Sequence, residues 1–280
     1  MSPLLPVRRS IYKTSAQLRA MIEPGLITAA ALDAVRALIA PGVTTLELDA
    51  AASRVITDRG AKSNFQMVRG YRHTICTSVN QQVVHGIPSD LVLAPGDIVS
   101  IDAGAEYEGW NGDSAFTVVV PDPSRPELVA EREELSRVTE GSLWAGIAAL
   151  ATARHLGEVG AAVQEHIDAA GHGYGILREY VGHGIGRKMH ESPSVFNYRT
   201  PDPGAEVRPG LAVAIEPMVV IGDQETFIED DDWTVSTVDG TAGSHWEHSV
   251  AVHDGGIWVL TAPDGGAAGL APFGITPREI

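Results

Sequence analysis

Four acidic residues stand inside runs that otherwise read as buried β-strand. Asp102 lies in IVSIDAG, Asp113 opens DSAFTVVV, Glu216 sits in LAVAIEPMVV and Glu247 in HWEHSVAV. A carboxylate buried without a partner must be paid for by several kcal/mol or by keeping its proton, so such groups are normally paired or bound to metal. Taken singly, each acid also reads as an outward-facing strand residue. Four of them in strands this apolar read better as a shared, ligated set.

The elements around these acids come in a repeated order. Thr14 with Gln17 and Thr44 with Glu47 form capping boxes that open helices. The first helical stretch carries Leu18, Met21, Ile22, Leu26, Leu32, Val35 and Leu38, and Pro24-Gly25 predicts a kink or break within it. The second carries Leu48, Ala51, Val55 and Ile56 and runs to Gly60. From residue 61, ICTSVN, VVHGIP, IVSIDAG and DSAFTVVV read as strands, with EYEGWNGD as a hairpin loop. Pro126 then falls in the first turn of a third helix, and a fourth carries Leu156, Val159, Val163 and Ile167 before Gly171. Strand texture returns in LAVAIEPMVVIG, WTVSTV, HWEHSVAV and IWVLT. Helices then strands, twice over, predict a duplicated α+β unit whose halves share one sheet or core. The Gly/Pro/Ala-rich tail 262–280 reads as loosely held.

Composition excludes several classes. A chain of 280 residues needs no disulfide to hold a core, and the single Cys76 cannot form one internally. Thirty-six acids against 20 Lys and Arg, a formal charge of −16, argue against nucleic acid or an anionic membrane as main partner. No apolar run reaches spanning length, and the N-terminal arginines follow the apolar residues, the wrong order for a signal peptide. The expected setting is the cytoplasm.

There is no Walker A loop, no Gly-x-Ser-x-Gly elbow and no Cys-x-x-Cys. Of the ten histidines, His73, His155, His166, His172, His245, His248 and His253 read as structural or surface residues. His85 in VVHGIP and His183 and His190 in VGHGIGRKMHE stand apart, because flanking glycines let backbone approach a ligand. Four carboxylates and one imidazole make a hard, oxygen-rich site suited to two divalent first-row ions, whose charge the carboxylates would balance. Such a pair can serve metal-assisted hydrolysis.

The order Asp102, Asp113, His183, Glu216, Glu247 resembles the five-ligand set of the pita-bread metallopeptidases. The strings VVHGIPSD, DIVSIDAG, NGDSAFTV, VGHGIGRKMHE, AIEPM and WEHSV resemble the type I methionine aminopeptidase family in particular, from about Ile11 to Thr261. The resemblance implies an α+β pita-bread fold, duplicated helix/strand halves around a curved antiparallel sheet. It implies an extension at 1–10, a catalytic domain at 11–261 and the tail at 262–280. It implies removal of the N-terminal methionine from nascent proteins when the next residue is small. Two divalent ions (Co, Mn, Fe or Zn) would be held by Asp102, Asp113, His183, Glu216 and Glu247, with Asp113 and Glu247 bridging. Glu216 would also act as general base, His85 would contact the scissile amide, and His190 would hold the substrate carbonyl. Phe65, Tyr71, Cys76, Met189 and Trp233 resemble the methionine side-chain pocket, and each reads equally as plain core packing.

Relatives on the same fold differ in ways the sequence shows. Prolidase and aminopeptidase P resemble this ligand order but carry an additional N-terminal domain, for which the residues before Asp102 leave no room. Type II enzymes have a helical insertion between the last two glutamates that is missing here. A related aminopeptidase with another N-terminal preference and a catalytically silent peptide-binding homologue remain the alternatives. Arg69 and Arg72, in MVRGYRHTIC, place cations near the pocket mouth, and Met189 stands where an aromatic is common. The expected partners are nascent N-termini, with the protein acting as a monomer. A basic loop near Trp233 is implied for ribosome docking, yet here it reads Glu229-Asp230-Asp231-Asp232, followed by Ser236 and Val238 where lysines are frequent.

Overall fold

The computed structural model describes residues 10–280. The first half holds α1 (Ser15–Ala20), α2 (Ile22–Arg36) and α3 (Thr45–Asp58), then β1 (Lys62–Ser63), β2 (Ile75–Val79), β3 (Gln82–Val84), β4 (Ile98–Tyr107) and β5 (Trp110–Val119). The second half opens with α4 (Pro126–Leu150) and α5 (Leu156–Ala169), then β6 (Gly175–Ile176), β7 (Gly182–Gly184), β8 (Glu191–Val195), β9 (Ala212–Ile215) and β10 (Met218–Val220). It continues with β11 (Thr226–Ile228), β12 (Val235–Thr237), β13 (Gly243–His245), β14 (Glu247–His253), β15 (Gly256–Val259) and α6 (Ala267–Leu270). Helices then strands, twice, is the expected order. The 1–10 extension lies outside the described residues except for Ser10.

One antiparallel sheet joins the halves, in the order β1-β4-β5-β14-β9-β7-β8, with β2 on β4 and β15 on β14. Each half keeps its own helical backing. Ile27, Ala31, Leu48 and Ile56 pack with Ile101, Ala103 and Phe116, whereas Leu143, Ile147, Val159 and Val163 pack with Val213, Ile215 and Val250. The sheet's other face is thereby left for the site. Alternation along β4 makes the division: Ile101, Ala103 and Ala105 join the helical core, which turns Asp102 the opposite way.

Both capping boxes are present, Thr14 with Gln17 and Thr44 with Glu47. The break in the first helical stretch falls at Met21, between α1 and α2. Pro24 then lies in the first turn of α2, where a missing N–H is tolerated. Gly25 next to it lets α2 press on the sheet, since a Cβ there would lie 2.2 Å from Leu260 O. Two expectations are corrected. The hairpin loop is not EYEGWNGD but Glu108-Gly109 alone, both at positive φ (51° and 78°), so β4 and β5 pair through Tyr107↔Trp110. A two-residue turn of that hand matches the twist of its strands and leaves Asp113 inside β5. The tail 262–280 is not loosely held: Leu270 is fully buried, Gly269 lies against the Trp144 indole, and Arg278 N–H donates to Ile257 O at 3.1 Å. Gly265, Gly266 and Gly269 serve close packing on Trp258 and Trp144 rather than freedom.

Candidate metal centre

Register brings the acids together. Asp102 on β4 and Glu247 on β14 both face Ala115 of the central strand β5, one from each side. Asp113, two residues before Ala115, shares that face. The small methyl of Ala115 leaves the space between the three carboxylates open. Glu216 follows directly on β9, whose Ile215 pairs with His248, so it lies beside Glu247. His183 on β7 enters through the neighbouring pair Gly184↔Val213.

The segment LAVAIEPMVV is not one continuous strand. Glu216-Pro217 breaks it into β9 and β10, and Trp246 breaks the facing segment into β13 and β14. β9 pairs with β14 in the large sheet, whereas β10 pairs with β13 in a second one. The two breaks lie opposite each other, with Trp246 N–H 3.4 Å from Pro217 O, and Glu216 and Glu247 stand at the bend. Asn197 Nδ2 donates to Glu216 O at 3.0 Å and satisfies the carbonyl freed there.

His183 Nε2 lies 3.4 Å from Glu216 Oε1 and 3.9 Å from Asp113 Oδ2. Its Nδ1 is 3.0 Å from Gly184 O, which requires the proton on Nδ1 and leaves the Nε2 lone pair facing the carboxylates. Donor atoms lie within 4.8 Å of one another in three trios: Asp102, Asp113 and Glu247; His183, Glu216 and Glu247; Asp113, His183 and His190. Asp113 and Glu247 each belong to two trios, the geometry a bridging carboxylate needs.

Asp102 Oδ1, Asp113 Oδ1 and Glu247 Oε1 are buried without a hydrogen-bond partner. Burial pushes Asp102 up to about 8. Asp113, Glu216 and Glu247 are also raised well above the carboxylate range, by burial first and by the charge of neighbouring carboxylates second, that of Asp102 among them in each case. Packed carboxylates with orphaned oxygens and one imidazole lone pair fit divalent cations, which would satisfy the oxygens and reverse the cost.

The same cavity, about 130 Å³, continues into an apolar pocket. Phe65, Tyr71, Cys76, Met189 and Trp233 line it beside the carboxylates, and Val68, unforeseen from the sequence, joins them. Tyr71 meets Trp233 edge-on with centroids 5.0 Å apart. His85 and His190 face the cavity too. His85 holds φ at 61°, a left-handed conformation that costs a non-glycine residue about 1 kcal/mol or more. Burial, then His190's charge, lowers His85 to about 4, so its ring is neutral at physiological pH.

His245, which the sequence places among the structural histidines, stands directly behind the cluster. It is fully buried, and its Nε2 lies 3.7 Å from Glu216 Oε2 with no hydrogen-bond partner. The signal was its spacing, two residues before Glu247. His248 is structural, as read: its Nδ1 is 2.8 Å from Thr261 Oγ1, and the ring tilts against Trp144.

A buried carboxylate–imidazole cluster opening into an apolar pocket is the architecture of a metal-dependent hydrolase. The chain belongs to metallopeptidase family M24, whose family model matches residues 19–254. Within that family it is similar over nearly its whole length to methionine aminopeptidases. It is 46% identical over 260 residues to methionine aminopeptidase 1 of Mycobacterium tuberculosis, covering 91% of this chain and 96% of that one. It is 40% identical to methionine aminopeptidase 1 of Bacillus subtilis, covering 90% and 98%. The crystal structure of methionine aminopeptidase from Thermotoga maritima superposes with a TM-score of 0.83 at 37% identity, covering 89% of this chain and 98% of that one. Prolidase from Pyrococcus furiosus, at 22% identity and a TM-score of 0.69, shares the pita-bread fold, and the match covers only 65% of its chain. Among the described residues no helix is long and apolar enough to cross a membrane.

Proposed function

We propose that this chain removes the N-terminal methionine from new polypeptides when the next residue is small. The observation that carries this reading is one cavity holding both the carboxylate–imidazole cluster and a pocket lined by Phe65, Tyr71, Cys76, Met189 and Trp233. A soft, apolar lining suits a thioether side chain.

Asp102, Asp113, His183, Glu216 and Glu247 would hold two divalent ions, with Asp113 and Glu247 shared. When bound, such ions supply Lewis acidity toward the scissile carbonyl and make water acidic enough to deprotonate near neutral pH. The pocket fixes the methionine side chain, and so fixes which peptide bond reaches the carboxylates. Glu216 takes the proton of the attacking water. His190 donates a hydrogen bond to the carbonyl oxygen as negative charge grows there. Glu216 returns that proton to the nitrogen as the C–N bond breaks, and His85, neutral at working pH, donates to the nitrogen once the carbon has become tetrahedral, so that it leaves as an amine.

Stripping the metal, restoring single metals and assaying Met-Gly, Met-Leu and Xaa-Pro peptides tests the reading. Activity should vanish on chelation, return with a transition metal and favour Met-Gly. Full turnover in a verified metal-free preparation, or a preference for Xaa-Pro, would overturn it.

The proposed partners are polypeptide N-termini in the cytoplasm, where chains begin, and every site residue comes from one chain, so a monomer suffices. We further infer weak or absent ribosome docking through the turn at 229–232. Asp231 accepts from Trp233 N–H and Thr234 N–H, both at 2.8 Å, and Glu229 accepts from Ser236 Oγ, whereas Asp230 and Asp232 face solvent. Free carboxylates repel an RNA-rich surface. Tight, salt-sensitive co-sedimentation with ribosomes, lost on changing residues 229–238, would show this to be wrong.

A further inference from the structure

Among the described residues no hydrogen bond holds the His190 ring. It stands edge-on to His183, ring centroids 4.3 Å apart, and a ring nitrogen lies within 4.8 Å of an Asp113 carboxylate oxygen, too loose a contact to fix its direction without its backbone. That backbone is the loop 185–190 between β7 and β8, and the two ends of the loop are fixed differently. At the first end, Gly186 O accepts from both Asn111 N–H and Asn111 Nδ2, each at 3.0 Å, and Arg187 Nη1 donates to Gly109 O at 3.1 Å. The end bearing His190 is held by a backbone bond, Gly186 N–H to Lys188 O at 3.0 Å, by the pairing of Glu191 with Gly184, and by one side chain, that of Glu191. Its Oε1 accepts from Lys188 N–H at 3.0 Å, and its Oε2 lies 3.3 Å from Lys13 Nζ.

Lys13 comes from the other end of the chain, just before α1. Its side chain is only 8% exposed, unusual for a lysine. Its own N–H donates to Gly210 O at 2.7 Å, and its stem crosses Gly186 so closely that a Cβ there would lie 2.4 Å from Lys13 Cε. One buried ammonium therefore touches both ends of the loop, over the glycine at its start and on the carboxylate at its finish. Removing one partner of such a pair leaves the other charge uncompensated, and the freed carboxylate turns to water.

We propose that Lys13 is a positioning residue for His190, acting through Glu191. The pair keeps Glu191 Oε1 on Lys188 N–H, which sets the path of the two residues between and aims the His190 ring at the substrate carbonyl. This rests on the role given to His190 above.

The test is a set of variants of the metal-loaded enzyme, with bound metal measured in each. Lys13→Met keeps the stem and discards the charge. It should lower kcat about tenfold or more, since small misplacements of a reacting group have large effects. KM should change less than kcat, bound metal should be unchanged, and Lys13→Arg should restore activity. His190→Ala should lower kcat roughly 10²–10³-fold. In the His190→Ala background, Lys13→Met should add no further loss, because there is no ring left to aim. If Lys13→Met does not fold, Glu191→Gln, which retains an acceptor for Lys188 N–H and removes the ion pair, is read in the same way. Wild-type kcat in the Lys13 variant, or equal losses in both backgrounds, would overturn the proposal while leaving His190's role intact. Full activity of His190→Ala alone would instead remove the role on which it rests.

Discussion

Chelating the metal should make this protein's stability fall as pH rises above neutrality. In the metal-free fold Asp102 keeps its proton up to about 8 because of burial, whereas in the unfolded chain it ionises near the ordinary value of about 4. Between those values the folded state binds one more proton than the unfolded state. The stability tied to that proton is complete below the unfolded pKa and is lost as pH rises through the folded one. The buried histidines run the other way. His85, His183 and His248 are lowered to about 4 and His245 to about 3, each chiefly by burial, so they weaken the fold only as pH falls below about 6.5. Above that value they are neutral in both states and the carboxylates act alone. From pH 6.5 to 8, one retained proton corresponds to about 2 kcal/mol, or about 4–8 °C in Tm, and Asp113, Glu216 and Glu247 add to it in the same direction. Calorimetric melts of chelated protein at constant ionic strength across that range measure the slope. Adding a divalent ion should flatten it, since the cation pays the carboxylates' desolvation, and Asp102→Asn should lower it by about one proton. A chelated wild type whose Tm is flat or climbs from pH 6.5 to 8, or an Asp102→Asn variant as steep as wild type, would refute the reasoning.

Glu247→Ala should lose bound metal and activity together, because its carboxylate belongs to both the Asp102/Asp113 and the His183/Glu216 trios; metal analysis that finds full occupancy would contradict a shared ligand. Gly25→Ala should destabilise the fold by about 1–3 kcal/mol, since the new Cβ meets backbone at Leu260 O rather than a side chain that can turn away, and urea titration reads the change. Ala115→Val should leave the sheet paired but crowd the space between Asp102 and Glu247, lowering metal affinity by tenfold or more in calorimetric titration; unchanged affinity would show that this space is not needed.

What the sequence determined by itself rests on interactions local to a few residues, or on costs that hold in any fold. Both capping boxes close within three residues, and Gly171 at positive φ ends α5 where the glycine stood. Acids in apolar strands had to be gathered wherever those strands met, so the four carboxylates could be read as one shared set before their geometry was known. Tertiary structure alone decided how the strands met. The turn at Glu108-Gly109 sets the register that puts Asp102 and Asp113 on one face, and the facing breaks at Pro217 and Trp246 bend Glu216 toward Glu247. His245 looked ordinary until that bend turned it toward Glu216. Tail glycines that suggest mobility in a list of residues become contact points once Trp144 stands against them. Lys13 and Glu191 are 178 residues apart, and no local pattern marks either. Their pairing exists because α1 and the loop after β7 close on the same side of the sheet, and only a folded chain brings such distant charges together out of water.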